Sequence, residues 1–269
     1  MTTKILVSYM MVALIFLFSC TSQQPAELTN ENQLLGDYFQ FSLSSENLNH
    51  SLDFYRKLQF EIISINENAS PPWALLSDGS NLIMLSQNSF PSPALTFFGE
   101  NLEDRLNMLK SKGIYFESVY DDKQQVKSAV LKDSEYVGIS VINYQSRKLP
   151  RPTSTHMTIL GNFDKLIIPS GAVEKSVEFW KKVGFKQSIS DSVSSPIHLT
   201  HPLLNLSIYS DESKSMPALS YNCSDLAGLK EHLQQTGISY SVNTISGDQS
   251  QIKFYSPDSQ FFLIRQSAE

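Results

Sequence analysis

Hydrophobic and polar residues follow two different periods along the chain. Residues 39–43 alternate between apolar and polar side chains, which is typical of a strand with one buried face. From Leu48 to Leu58 the apolar residues recur at helical spacing, and Ser45 before them is suited to an N-cap. Further strand-like runs follow, and the same order begins again at Ala94. The pattern therefore predicts two successive β-α-β-β-β units.

The remaining elements of this first half are predicted from the same two periods. The second helix carries Leu102, Leu106 and Leu109 and ends at Gly113, which favours a left-handed C-cap. The predicted strands are Glu61–Ile65, Trp73–Leu76, Asn81–Leu85, Ala94–Phe98, Tyr115–Tyr120, Ser128–Lys132 and Val137–Ile142.

The second half of the chain repeats the first. Pro93–Phe97 recurs as Pro217–Tyr221 at an offset of 124 residues, and Leu52–Lys57 recurs as Val177–Lys182 at an offset of 125. Ordered matches at a nearly constant offset indicate a duplicated module. We predict module one at residues 37–145, a Pro-rich linker at 146–160 and module two at 161–267.

The copies also differ in their predicted helix ends. Module two begins with strand Lys165–Ile168 and cap Ser170, and its first helix ends at Gly184. Gln59 stands at the equivalent position in module one, so the first helix there is expected to end without a glycine.

The N-terminal segment differs from the rest. Residues 1–19 contain Lys4, no acidic residue and an apolar run that is short for a membrane span. Leu17-Phe18-Ser19-Cys20 resembles a bacterial lipoprotein box, which implies cleavage before Cys20 and its acylation. An ordinary cleaved signal and an uncleaved anchor are the alternatives. Polar residues 20–36 are predicted to form a tether to the envelope membrane.

Composition excludes several other classes of protein. The 269 residues carry 21 Lys+Arg against 27 Asp+Glu, so a nucleic-acid partner is not expected. The two cysteines cannot form a disulfide framework or a four-cysteine zinc site. With Cys20 acylated, Cys223 is expected to be a small buried apolar residue.

Three segments carry a family resemblance. Asn47–Tyr55, Lys175–Phe185 and Ser256–Ser259 resemble the helix-one signature and late turn of the vicinal oxygen chelate superfamily, which includes glyoxalase I, extradiol dioxygenases and bleomycin-resistance proteins. The resemblance spans most of both modules. It implies an α+β fold in which four βαβββ units form two cupped mixed β-sheets with flanking helices.

The resemblance also locates the family's metal ligands. These positions fall on Gln40, Ala94 and Ser140 in module one and on Lys165, Ala218 and Leu263 in module two. A tightly bound divalent cation needs about three carboxylate or imidazole groups, and only Gln40 is an allowed ligand. We therefore expect no metal, no other cofactor and no catalytic residue of the usual type.

Other polar residues have simpler interpretations. His198 and His201 are interpreted as surface or loop histidines rather than a chelating pair, and His50 and His232 as solvated helix residues. The carboxylates of Asp133, Glu135 and Asp258 are expected to serve turns. His156 is placed in the linker.

The inward faces of the cups are predicted from strand alternation. Apolar and small residues dominate them, which suits either a small organic ligand or a core filled by side chains. The candidate ligand-binding residues are Gln40, Ser42, Thr96, Phe98 and Ser140 in one cup and Lys165, Ser220 and Asn222 in the other.

Together these features predict a lipid-anchored envelope protein that binds or sequesters a small organic molecule. One alternative is a lyase, isomerase or dioxygenase that holds a metal through non-standard ligands. The other is an interaction scaffold in the envelope. The anchor is expected to hold the protein at the outer membrane or its periplasmic face.

Overall fold

Each half of the chain builds one eight-stranded sheet. The computed structural model describes residues 33–123, 125–135, 137–145, 148–152, 157–188, 196–211, 216–245 and 249–267. Residues 1–32 lie outside these ranges, and with them the predicted signal, Cys20 and most of the predicted tether; so does His156.

The first sheet has the order β2-β3-β4-β1-β5-β8-β7-β6. Its central strands β1 and β5 are antiparallel, whereas β1–β4 and β5–β8 are parallel, so the sheet is mixed. Its strands are β1 (Tyr38–Ser44), β2 (Glu61–Asn66), β3 (Trp73–Ser77), β4 (Leu82–Ser86), β5 (Ala94–Gly99), β6 (Ser118–Asp121), β7 (Val126–Lys132) and β8 (Gly138–Asn143).

The second sheet repeats this arrangement as β10-β11-β12-β9-β13-β16-β15-β14. The predicted α+β class with four βαβββ units is therefore confirmed. Its strands are β9 (Asn162–Ser170), β10 (Lys186–Gln187), β11 (Ile197–Thr200), β12 (Leu206–Ser210), β13 (Ala218–Cys223), β14 (Tyr240–Ile245), β15 (Gln249–Tyr255) and β16 (Phe261–Gln266).

Each unit contributes one short helix. The helices are α1 (Leu48–Lys57), α2 (Leu102–Ser111), α3 (Val173–Lys182) and α4 (Leu226–Thr236). Each buries an apolar stripe, which includes Leu48 in α1 and Leu102, Leu106 and Leu109 in α2, as the helical spacing predicts. No helix in the described part of the chain is both long and apolar enough to span a membrane.

Two predicted N-caps are wrong. The cap of α1 is Asn47, whose side-chain oxygen accepts from His50 N, whereas Ser45 Oγ lies 2.7 Å from Ser51 Oγ. Ser170 Oγ accepts from the backbone N of Ala172, the residue that caps α3. In both cases the serine lies in the segment that leads into the helix, before the residue at the N-cap position.

The end of α1 agrees with the prediction. Gln59 has φ 62°, so it adopts the left-handed conformation without a glycine, and Gly184 has φ 111° at the equivalent position. Backbone N–H groups of Leu58 and Gln59 still close the last turn onto Phe54 O and Arg56 O.

The predicted tether ends earlier than expected. Leu34 and Leu35 are buried in the core, and the buried Arg105 guanidinium donates to Leu35 O at 2.5 Å. Gly36 has φ 141°, and a Cβ there would lie 2.2 Å from Phe98 O. Residues 34–36 are therefore packed against module one, because two adjacent leucines gain more by burial than as part of a solvated segment.

One apolar core joins the two modules. Phe41 of β1 contacts Phe163 of β9 at 5.3 Å between ring centroids, and Phe54 of α1 lies 6.2 Å from Phe262 of β16. The modules are thus packed against each other along a common cluster of buried residues.

Candidate ligand-binding cup

The concave face of the first sheet encloses a cavity of about 230 Å³. It is lined from Ile63 on the edge strand β2 to Val130 on β7, so the sheet curls around it. All six module-one residues predicted from alternation to face inward line it, namely Gln40, Ser42, Ala94, Thr96, Phe98 and Ser140. Their role in binding a ligand stays a prediction.

Three polar residues form a row across the cup floor. Gln40 on β1 is paired with Thr96 on β5, and Thr96 is paired with Ser140 on β8. Ala94, the second position that the resemblance implied, is instead paired with Ser42. The register therefore places Thr96, not Ala94, beside the other two.

This row does not suit the divalent cation that the family implies. Gln40 offers one amide oxygen, and Thr96 and Ser140 offer neutral hydroxyls, one of which already bonds Ser42 Oγ at 2.8 Å. Neutral donors of this kind cannot replace the carboxylates and imidazoles that hold such ions. No cluster of three His, Cys, Asp or Glu suited to a metal occurs among the described residues.

Two polar groups of strands β3 and β4 have no hydrogen-bond partner among the described residues. Trp73 on β3 and Ser86 on β4 are paired across the sheet and both line the cavity. The indole Nε1 and the serine Oγ are buried without a hydrogen-bond partner. An unsatisfied buried polar group costs about 1–3 kcal/mol, so these atoms favour a bound partner.

The linker forms part of the cavity wall. Leu149 and Pro150 line the cavity, and Tyr38 OH donates to Pro150 O at 2.5 Å. The Arg151 guanidinium lies 4.7 Å from the centroid of the Tyr38 ring. Burial raises the pKa of Tyr38 to about 12, so its phenol remains a neutral donor near pH 7.

The equivalent positions of module two are occupied differently. Ile167, Ala218 and Leu263 are buried together and pack against Tyr209 and Phe261. Large side chains thus stand where module one has Ser42 and Ser140.

The predicted ligand-binding residues of the second cup are not joined into a comparable polar surface. Lys165 Nζ lies 3.2 Å from Asp164 Oδ2, Ser220 is fully buried with no hydrogen-bond partner for its Oγ, and Asn222 is half-buried.

The turn carboxylates do more than shape their turns. Asp133 Oδ1 accepts from two backbone N–H groups of its own turn, but its Oδ2 accepts from Ser176 Oγ at 3.2 Å and Trp180 Nε1 at 3.1 Å on α3 of the other module. Glu135 Oε1 accepts from Ser170 Oγ at 2.7 Å. The prediction that these carboxylates serve only their own turns is therefore wrong.

Module two makes the reciprocal contact with module one. Asp258 accepts from Ser51 Oγ on α1 and, at 2.9 Å, from Glu46 N. A turn from each module thus contacts the first helix of the other, so the two contacts are reciprocal.

A further carboxylate lies buried between the modules. Asp78 Oδ2 accepts from Tyr221 OH at 2.9 Å, and its Oδ1 accepts from the backbone N–H groups of Ser80 and Asn81. Burial raises the pKa of Asp78, and these hydrogen bonds oppose the rise. Burial likewise raises the pKa of Asp133.

The histidines differ in part from their interpretation. His201 lies in a loop, one of the two expected positions, but it is not a surface residue: it is buried, stacks on Phe185 at 4.8 Å between ring centroids and accepts from Leu203 N. His232 is half-buried and its Nε2 lies 2.5 Å from Lys57 O of the other module. His50 is exposed on α1, as expected.

Cys223 is buried and free, as predicted.

Sequence reasoning missed part of the cavity wall. Trp73, Met84 and Ser86 could have been found by extending strand alternation to β3 and β4. The linker residues Leu149 and Pro150 could not, because no periodicity marks the face that they present.

Solved structures with the same fold are numerous, but their sequences are distant. A catechol 2,3-dioxygenase has a TM-score of 0.59 at 15% identity, covering 86% of this chain and 87% of its own. Homoprotocatechuate 2,3-dioxygenase from Arthrobacter globiformis has a TM-score of 0.60 at 13% identity, covering 85% and 78%. The Mn(II)-bound glyoxalase from Novosphingobium aromaticivorans has a TM-score of 0.56 at 13% identity, covering 86% and 81%.

These likenesses concern the fold alone. The chain has the vicinal oxygen chelate fold, with both sheets of the two-module arrangement. No protein-family model and no curated protein sequence matches it.

Proposed function

We propose that this protein binds a small organic molecule in the cup of module one and does not use the metal chemistry of its structural neighbours. The observation that carries the proposal is the 230 Å³ cavity, lined mainly by apolar and aromatic side chains with a few polar groups. Binding sites for small molecules have this composition. The neutral row of Gln40, Thr96 and Ser140 supports binding without a metal.

The contrast between the cups supports one site per chain. Ser140 lines the cavity in module one, whereas the equivalent Leu263 is buried in the apolar cluster of module two. Module two then stabilises module one through the shared core rather than binding a second molecule.

We also propose that the chain is a lipid-anchored envelope protein, held through Cys20 at the outer membrane or its periplasmic face. The lipoprotein-like box at residues 17–20 and the acid-free apolar segment before it support this. Cys20→Ala should release the protein from the membrane fraction, and an unchanged distribution would contradict the anchor.

Native mass spectrometry of the full chain isolated from its own envelope tests the binding proposal. We expect one bound small molecule per chain in the wild type and none in Ser140→Leu, which places the module-two side chain in the cup. Ser111→Leu is the matched control, since the same exchange at the exposed end of α2, outside the cavity, should retain the molecule.

Two results would contradict the proposal. One is a wild-type chain that carries no small molecule and binds none of a panel of aromatic probes. The other is a folded Ser140→Leu variant that retains the molecule at wild-type occupancy.

A further inference from the structure

The lining of the module-one cavity contains no ionisable carboxylate, ammonium, guanidinium or imidazole group among the described residues. The phenol of Tyr144 is the only titratable side chain among these described lining residues. A charged ligand would lose its hydration there without gaining a counter-charge, which is strongly unfavourable. The cavity therefore selects against charged molecules of either sign.

The polar groups of the wall add a second requirement. Trp73 Nε1 can only donate a hydrogen bond, and it is buried without an acceptor. Ser86 Oγ, on the residue paired with Trp73, also lacks a partner and can donate as well. Both donors belong to paired residues that line the cavity, so an oxygen or nitrogen acceptor on a ligand is the group that would satisfy them.

The apolar and aromatic residues of the wall determine which chemical groups suit the rest of the ligand. Phe98, Met84, Leu75 and Leu149 line the cavity with apolar surface, and Phe90 and Tyr144 add aromatic rings. A cavity of about 150 Å³ holds a benzene molecule, so about 230 Å³ suits one or two fused rings with a small substituent.

We propose that the ligand is an uncharged, mainly apolar ring compound whose carbonyl-type acceptor binds the Trp73 indole N–H and the Ser86 hydroxyl. This inference rests on the proposed binding function and specifies its ligand class. At the other end, the Gln40 amide on the cup floor can donate or accept, so a second polar substituent is tolerated there.

Three probes of one shape test the ligand class by calorimetry with the full chain. They are 2-acetylnaphthalene, which has the acceptor, 2-ethylnaphthalene, which lacks it, and 2-naphthoate, which is charged. We expect the acetyl compound to bind at least about tenfold more tightly than either of the others.

Variants assign the effect to the two donors. Trp73→Phe keeps an aromatic ring but removes the N–H, so the preference for acetyl over ethyl should fall to about threefold or less. Ser86→Ala should also reduce the preference for the acetyl over the ethyl compound. It keeps the assignment testable if Trp73→Phe does not fold. Ser220→Ala removes an unpaired buried hydroxyl from module two and should leave the preference unchanged.

The outcomes separate this inference from the proposed function. Equal affinity for the acetyl and ethyl compounds, or tightest binding of 2-naphthoate, overturns the ligand class while binding in the cup stands. Failure of all three probes to bind overturns the ligand class, whereas the proposed function falls only if the chain isolated from its envelope also carries no small molecule. A preference that survives in both Trp73→Phe and Ser86→Ala overturns the assignment of the donors.

Discussion

At the scale of single residues, Asp78 shows how one buried carboxylate links the two halves. Its oxygens accept hydrogen bonds from its own turn and from Tyr221 OH of module two. These bonds do not fully compensate for the lost hydration, because burial still raises its pKa. The charged form of Asp78 therefore lowers the stability of the fold, and its hydrogen bonds reduce that loss.

The sign of that effect is testable by titration. Because the pKa of Asp78 is raised in the folded protein, its contribution to stability is present at low pH and is lost as pH rises above about 4. The free energy of unfolding of the wild type minus that of Asp78→Asn should fall from pH 4 to pH 7 in urea denaturation. A difference that rises with pH would contradict the assigned cause.

A second residue-scale prediction concerns the strand register of the cup floor. Gln40→His, Thr96→His and Ser140→Glu together place two imidazoles and one carboxylate on neighbouring paired positions. We expect this triple variant to bind one Zn²⁺ per chain, measured by calorimetry, whereas the wild type binds no stoichiometric Mn²⁺, Fe²⁺ or Zn²⁺.

The matched control replaces Thr96→His by Ala94→His in the same triple variant. Ala94 lies two residues from Thr96 and is paired with Ser42 instead of Gln40, so this variant should bind Zn²⁺ at least about tenfold more weakly. Tighter Zn²⁺ binding by the variant with Ala94→His would show that the family resemblance, and not the strand register, locates the middle one of the three ligand positions.

At the scale of elements, the contacts between turns and helices are the clearest feature. Ser51 on α1 donates to Asp258, and Ser176 on α3 donates to Asp133, so each helix is held by the opposite module. Both serines are fully buried. Each hydroxyl therefore fixes a helix and an inter-module contact at once.

Ser51→Ala and Ser176→Ala should each lower the free energy of unfolding by about 1–3 kcal/mol, since each leaves a carboxylate with one donor fewer. Chemical denaturation of the purified variants measures this. The control is Ser111→Ala on the exposed end of α2, where a change within about 0.5 kcal/mol is expected. Equal effects at all three sites would mean that the inter-module bonds add no stability.

The elements themselves were largely predictable from the sequence. Period-two runs located the strands of the first sheet within a few residues and helical spacing located α1 and α2, because burial of one face determines both patterns. The repeat then predicted the same order of elements in the second half. The N-caps at Ser45 and Ser170 were wrong because several polar residues near a helix start compete for the same backbone donors.

Contacts between residues that are far apart in the sequence were not predictable. Asp133 and Asp258 look like ordinary turn residues in sequence, since nothing local shows that a helix from the other module contacts them. Leu149 and Pro150 likewise gave no pattern. The cup-floor residues of module one were found because a strand places alternate side chains on one face, but the relative register of β1 and β5 needed the structure.

At the scale of the whole molecule, the two modules share one apolar core. Aromatic contacts such as Phe54–Phe262 and hydrogen bonds such as Tyr221–Asp78 cross the boundary. Residues 34–36 are fixed to module one by Arg105, which donates to Leu35 O, Gly99 O and Glu100 O. The chain after residue 33 should thus behave as one cooperative unit.

Differential scanning calorimetry should show a single unfolding transition for the chain, with calorimetric and van't Hoff enthalpies that agree. Tyr221→Phe should lower the midpoint, because it leaves Asp78 with one donor fewer, but should not split the transition. Two resolved transitions in the wild type would contradict a common core.

The reciprocal contacts also have a consequence for the order of folding. Ser51 and Asp258 are 207 residues apart in the chain, so helix α1 receives this partner only after nearly all of the polypeptide has been synthesised. Contacts of such long sequence separation slow folding. Under the proposed export of the chain, this delay allows the polypeptide to reach the envelope before α1 acquires its contact with Asp258.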